Sequence, residues 1–193
     1  MSILPSRAAL DLDGAQQGWS IPTVVKQSTI PGAGVGRYAQ EFTKKGTIMC
    51  VKKSIKMADV TSLKAVSLDM AVTFESEADL ERYIALAHEE GGHSREAVLD
   101  LFANFIWSAD GKVAWLNHAT WSINHGETGE KGLNVWLYEK DGAIVAEAEF
   151  DVPAGAELFC QYRRDFDQPP FYLDYCAKNG KKDVRTMVLE VVD

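Results

Sequence analysis

Trp115-Leu116-Asn117-His118 and Val152-Pro153-Ala154-Gly155-Ala156-Glu157-Leu158-Phe159-Cys160-Gln161-Tyr162 bound the stretch on which the reading of this chain turns. The first is an apolar run that brings an Asn-His pair to its end. Such side chains both donate and accept, so at the end of a buried element they can hold a polar ligand. The second passes through a Pro-Ala-Gly turn into the apolar run Leu158-Phe159-Cys160 and ends on Tyr162. Between the two, residues 134–138 and 143–146 flank Lys140-Asp141-Gly142, a strong β-hairpin signal. The polar loop over residues 119–133 carries a second Asn-His pair, Asn124-His125. By itself an Asn-His pair reads first as a turn with a satisfied histidine, because short motifs misfire. The remainder of the chain decides.

Upstream, Thr23-Val24-Val25 predicts a short strand, followed by a loop at Pro31-Gly32-Ala33-Gly34. Val35-Gly36-Arg37-Tyr38-Ala39, the polar turn Thr43-Lys44-Lys45-Gly46 and Thr47-Ile48-Met49-Cys50-Val51 come next, and these short runs read as a hairpin. The glycines Gly32, Gly34, Gly36 and Gly46 let backbone approach something closely. They make no phosphate cradle: the segment has neither the G-K-[ST] of a P-loop nor the G-x-G-x-x-G spacing. From Met57 to Trp107 the character shifts from strand to helix. Ser76-Glu77-Ala78-Asp79 resembles a capping box with Asp in the last place, and Leu80, Tyr83, Ile84 and Ala87 recur at helical spacing. Gly91-Gly92 should stop that helix, and Ser94 should cap a second one with a stripe of Val98, Leu101, Phe102, Phe105 and Ile106.

A strand is expected over residues 112–116, leading into Asn117-His118. Glu149-Phe150-Asp151-Val152-Pro153-Ala154-Gly155 echoes Glu41-Phe42-Thr43-Lys44-Lys45-Gly46, a recurring turn rather than a true repeat. Pro169-Pro170 rules out continuation of a central strand. An aromatic cluster, Phe171, Tyr172, Leu173, Tyr175 and Cys176, follows, then Asn179-Gly180 and a final strand over residues 186–192. The domain organisation read from this is an arm over 1–20, a domain over 21–165 and a segment over 166–193 that packs back on it.

Length and composition set bounds. At 193 residues, 46% hydrophobic and 25% charged, the chain supports one domain with a sizeable core. The formal net charge of −8 argues against non-specific binding to nucleic acid or an anionic membrane and suits a basic partner. Cys50, Cys160 and Cys176 form no C-x-x-C pair, so neither a disulfide framework nor a structural zinc site is expected, and no metal is assigned. His88 and His93 flank a helix break without further ligands nearby. No apolar window is long enough for a signal sequence or a membrane span. The expected compartment is intracellular, with nucleus and cytoplasm indistinguishable.

In order and spacing, four pieces of this sequence resemble the SET-domain lysine methyltransferases. They are Gly34-Val35-Gly36-Arg37-Tyr38-Ala39 with the turn behind it, the helical stretch, Leu116-Asn117-His118, and the run from Val152 to Tyr162. The resemblance implies a mainly β fold (α+β) with a helical insert at about 57–110, a SET-like β-clip closed by a C-terminal pseudoknot. It implies transfer of a methyl group from S-adenosylmethionine to a lysine of a protein or peptide substrate, one whose basic character would suit the acidic chain. Carried over by residue, the backbone at Val35, Gly36 and Arg37 with Asn117 and His118 would bind the cofactor. Tyr162 would be the active-site tyrosine, and Phe171 or Tyr172 would cover the adenine.

The chain departs from the family pattern in several places. Ala119 stands where a serine is usual, no proline precedes the later asparagine, Ala156 replaces a common acid and Cys160 a common tyrosine. The cysteine cluster that follows some family members is missing. Asn134, at a strand start, is the preferred match to the family's later asparagine. Two other classes stay open: a catalytically silent SET-like binding module, and a small-molecule enzyme using His118 and Tyr162 as an acid/base pair.

Overall fold

A computed structural model describes residues 18–67, 70–108, 111–117, 122–126, 133–161 and 167–183. His118, Tyr162, the arm before residue 18 and the strand expected over 186–192 lie outside the described residues, as does the side chain of Asn117. The chain runs through β1 (Thr23–Gln27), β2 (Val35–Ala39), β3 (Ile48–Lys56) and β4 (Met70–Phe74). Helices α1 (Glu77–Gly91) and α2 (Arg95–Phe105) follow, then β5 (Ile106–Trp107), β6 (Ala114–Asn117) and β7 (Asn124–His125). It closes with β8 (Val135–Lys140), β9 (Ala143–Ala148), β10 (Phe159–Cys160) and α3 (Pro170–Lys178).

The hairpin at Asp141-Gly142 forms because both turn residues take positive φ, 53° and 72°, which a two-residue hairpin needs and which Asp and Gly tolerate. It joins β8 and β9 antiparallel from Val135↔Ala148 to Lys140↔Ala143. The pleat then puts Val135 and Leu137 inward and leaves Trp136 exposed. These two strands form one side of a six-stranded sheet of order β5-β6-β4-β3-β9-β8. Within it β3 and β4 run parallel while the other pairs are antiparallel.

Two expectations are corrected here. Residues 57–107 are not helical throughout: they include two 3-10 turns, Met57–Asp59 and Leu63–Ala65, and the strand β4. Met70-Ala71-Val72-Thr73-Phe74 is a short run flanked by sheet on both sides, and such a run is too short and too β-branched to hold a helix against its neighbours. The hairpin of the N-terminal half is β1 with β2, register Thr23↔Ala39 to Gln27↔Val35. β3 crosses to the large sheet instead, with a bulge between Ile48 and Cys50.

Helix α1 starts and stops on its expected residues and α2 starts on its own, but α2 ends at Phe105, which is exposed, and Ile106 of the expected stripe opens β5 instead. Ser76 Oγ accepts from the Asp79 N–H, and the Asp79 carboxylate returns to the Glu75 N–H at 2.8 Å. Gly92 ends α1 at φ 65°, and Ser94 caps α2 through the Ala97 N–H. Behind Pro169, Pro170 occupies the first position of α3, where its missing N–H costs nothing. Thus the aromatic cluster, to which the sequence assigned no element, lies on a helix.

Alternation along β4 separates two cores. Val72 and Phe74 face the helices, where Phe74, Tyr83 and Phe102 meet edge-on or tilted with centroids 5.5–5.8 Å apart. Ala71 faces the other way, toward Trp115, Trp107, Met49, Leu137, Ile144 and Leu158. The two echoing turns pair with each other: the Thr43 N–H donates to Val152 O at 2.9 Å and the Val152 N–H to Thr43 O at 2.7 Å. Gly46 and Gly155 both take φ +81°, and each N–H reaches back into a strand, to Ala148 O and Ala39 O. That clamp fixes where the chain leaves for β10.

Candidate functional site

Past the Gly155 turn the chain lies antiparallel along β2. Ala39 N–H donates to Ala156 O at 3.0 Å, and Leu158 N–H donates to Arg37 O at 2.7 Å. Strand alternation then buries Leu158 in the β-side core and sends Glu157 to the opposite side, toward the loop between β1 and β2. Immediately afterward β10 pairs in parallel with β7, Phe159 with Asn124 and Cys160 with His125, and Gly126 N–H donates to Cys160 O. Gly126 is needed there because a Cβ would stand 2.7 Å from that of Phe159. Asn134 fastens the other side: its Nδ2 donates to Glu157 O at 2.7 Å and its Oδ1 accepts from the Phe159 N–H at 2.8 Å.

The Glu157 carboxylate is the hub. Oε1 accepts from Ser28 Oγ at 2.7 Å and Asn124 Nδ2 at 3.0 Å. Oε2 accepts from the Thr29 N–H at 2.7 Å, Thr29 Oγ1 at 2.6 Å and Tyr38 Oη at 3.0 Å. Burial alone would raise the pKa of this side chain, which is only 5% exposed. The hydrogen bonds from Thr29, Ser28 and Asn124 outweigh that and hold it below the ordinary glutamate range. The neighbouring Tyr38 phenol is pushed up, by burial first and then by the Glu157 charge it donates to. Asn124 Nδ2 also reaches Val35 O at 3.0 Å, so β7 is tied to the start of β2. Gly36 cannot be replaced without disturbance: a Cβ there would sit 1.9 Å from Glu157 Oε1.

The residues singled out in the sequence fall in different places. Val35, Gly36 and Arg37 lie on β2 beside this hub. The Arg37 side chain itself turns into the core, fully buried, with Nη1 donating to Thr23 Oγ1 at 2.5 Å and the guanidinium 4.4 Å from the Trp19 ring centre. Burial lowers its pKa to about 10. Asn117 ends β6 opposite Ala71, within the six-stranded sheet, whereas Asn124-His125 is the pair that meets β10 and β2. Tyr172 is fully buried on α3 and donates its hydroxyl to Phe102 O at 2.9 Å, so its ring and its proton are both engaged by the helical core. Phe171 packs, partly buried, on the same core.

The sequence reading passed over Glu157, Ser28, Thr29 and Tyr38. One signal pointed to Glu157: it is the lone acid in the run from Val152 to Gln161. Another marked Asn124: it opens a second Asn-His pair in the polar loop over residues 119–133. Among the described residues no helix is long and apolar enough to cross a membrane, and no three His, Cys, Asp or Glu side chains are grouped to hold a metal. An open groove of about 550 Å³ over β3, β8 and β9, lined by Val51, Lys53, Tyr138 and Val145 among others, shares no residue with the hub.

No family profile matches this sequence, and no curated protein matches it. Solved structures do. A chain of apo ctPRC2, the Chaetomium thermophilum Polycomb Repressive Complex 2, with two mutations in Ezh2 is 18% identical with a TM-score of 0.51, covering 83% of this chain. A chain of apo ctPRC2 in an autoinhibited state is 19% identical with a TM-score of 0.51, covering 86%. This chain spans 17% and 18% of their respective lengths. At such identity the likeness is one of fold, and the fold is that of the SET domain: mainly β, with a few helices on a curled sheet.

Proposed function

We propose that this chain transfers a methyl group from S-adenosylmethionine to a lysine side chain of a protein or peptide. One observation carries the reading: β7, bearing Asn124-His125, runs parallel to β10 and is tied through Asn124 to Val35 at the head of β2. The glycine-rich strand, an Asn-His pair and the segment leading to Tyr162 therefore converge on one spot, as a cofactor site in this fold requires. Between the two Asn-His pairs, the geometry favours Asn124-His125 over Asn117-His118 for that place. The parallel β7–β10 pair, formed by segments with β8 and β9 between them, also supports the C-terminal pseudoknot.

The residues fit the cofactor. Gly34 has φ +77° and open space where a side chain would stand, so the backbone before β2 can approach a nucleoside or amino-acid ligand closely. The backbone of residues 34–36 and the Asn124-His125 pair would hold it. When bound, S-adenosylmethionine supplies an activated methyl on a sulfonium. The chain's own task is to hold a neutral amine in line with that methyl, and positioning of this kind accounts for much of a barrier reduction. Tyr162, just past β10, would orient the amine through its hydroxyl, and a dry channel would favour the deprotonated lysine. Phe171 stays a candidate for the adenine edge.

Isothermal titration with S-adenosylmethionine, followed by transfer of labelled methyl to histones and to whole-cell lysate, tests the reading. Binding and lysine methylation are expected. Binding without transfer to any protein would leave a silent module, and no binding at all would sink the proposal.

A further inference from the structure

We propose that Glu157 is the positioning residue of the cofactor loop, its ionised carboxylate holding residues 28–36 and the Asn124 side chain in the arrangement the cofactor needs. The inference rests on the functional reading above. The loop has little else to locate it. Residues 29 and 31–34 are exposed, and a Cβ added at Gly32 or Gly34 would meet nothing within 4 Å. Its internal bonds are few: Ser28 N–H to Gly34 O at 2.9 Å, Ala33 N–H to Ile30 O at 3.2 Å, and Ile30 N–H to Ser28 Oγ at 3.0 Å. A segment without a buried apolar anchor is placed by its polar contacts, and here the hydrogen bonds that leave residues 28–34 go to Glu157 and, through Ser28 Oγ, to Asn124 at 3.1 Å, while Val35 O takes a further bond from Asn124 Nδ2 at 3.0 Å.

The position demands a carboxylate rather than an amide. An ionised carboxylate only accepts, and each of its oxygens faces one donor that cannot reverse: the Thr29 N–H at Oε2 and the Asn124 Nδ2 at Oε1. Asn124 cannot turn its amide over either, because Nδ2 also serves Val35 O. Whichever way a glutamine were placed, its NH₂ would meet a fixed N–H. One unmade bond in a buried cluster of this kind leaves a donor unsatisfied and frees the loop.

The test is hydrogen exchange and S-adenosylmethionine titration on the wild type and on Glu157→Gln. In the variant, amides of residues 28–36 should exchange at least about tenfold faster, with α1, α2 and α3 unchanged, and cofactor affinity should fall at least about tenfold, roughly 1.4 kcal/mol. A purely structural glutamate would lower the melting temperature and leave the affinity of the folded protein alone. Unchanged exchange at Thr29 overturns the proposal, and so does faster exchange with unchanged affinity. A wild type that binds no cofactor overturns the functional reading, and the exchange of Thr29 then settles by itself whether Glu157 holds the loop. Should Glu157→Gln fail to fold, Thr29→Val, on an exposed residue, removes one hydroxyl from the same carboxylate; unchanged exchange and affinity there overturn the proposal equally.

Discussion

Gly36→Ala measures how firmly the hub is held. The new Cβ would stand 1.9 Å from Glu157 Oε1, 2.6 Å from its Cδ and 3.1 Å from Asn124 Nδ2. The first two contacts are far inside van der Waals distance, so something must move. A glutamate tip is ordinarily the cheapest thing to move, by a rotamer change. This one is held by Ser28, Thr29, Tyr38 and Asn124, and swinging it aside leaves the buried hydroxyls of Ser28 and Tyr38 and the half-buried Asn124 amide without that acceptor. Leaving buried hydrogen-bonding groups unsatisfied in this way costs about 1–3 kcal/mol, a sizeable share of the roughly 5–15 kcal/mol by which domains are stable. Urea denaturation of Gly36→Ala should show that loss at unchanged m-value. In a Glu157→Ala background the same substitution should cost less than about 1 kcal/mol, because the clashing atoms are gone. A loss below about 1 kcal/mol in the parent background would mean that the carboxylate moves freely, and would refute the reasoning.

Acid should unlock the same hub. The folded-state pKa of Glu157 is lowered, so its contribution is full above the ordinary glutamate value of about 4.3 and is lost as pH falls through the lower folded value. The urea midpoint of the wild type should drop over that acid window, and Glu157→Gln should flatten that part of the profile. Tyr172→Phe removes the hydroxyl that Phe102 O accepts in the helical core, so it should cost about 1 kcal/mol of stability while S-adenosylmethionine affinity, read by titration, stays constant. A lost affinity would place Tyr172 at the adenine after all. Tyr162→Phe should keep cofactor affinity and lose more than about tenfold in turnover, about 1.4 kcal/mol, the signature of an interaction made in the transition state. Full turnover by the folded variant would remove Tyr162 from the catalytic role.

What the sequence determined by itself was local. The β8–β9 hairpin, the serine caps of α1 and α2, the glycine stop after α1 and the two echoing turns all depend on the φ preferences and side-chain bonds of a few adjacent residues. Asp141-Gly142, Ser76, Ser94 and Gly92 announce them without help from elsewhere. The order of these signals also sufficed to suggest the SET fold. Tertiary structure alone decided which strands pair: β2 with β1 rather than β3, β4 beside β3, and β7 with β10. Period-two alternation names a strand's buried face but not its neighbour, and the neighbour depends on loop closure and on which surfaces are left to bury. For the same reason the choice between two Asn-His pairs could not be made in one dimension. Asn124 is distinguished by the Val35 carbonyl and the Glu157 carboxylate, brought to it by segments on either side of the fold, and Glu157 becomes a hub only where those segments meet.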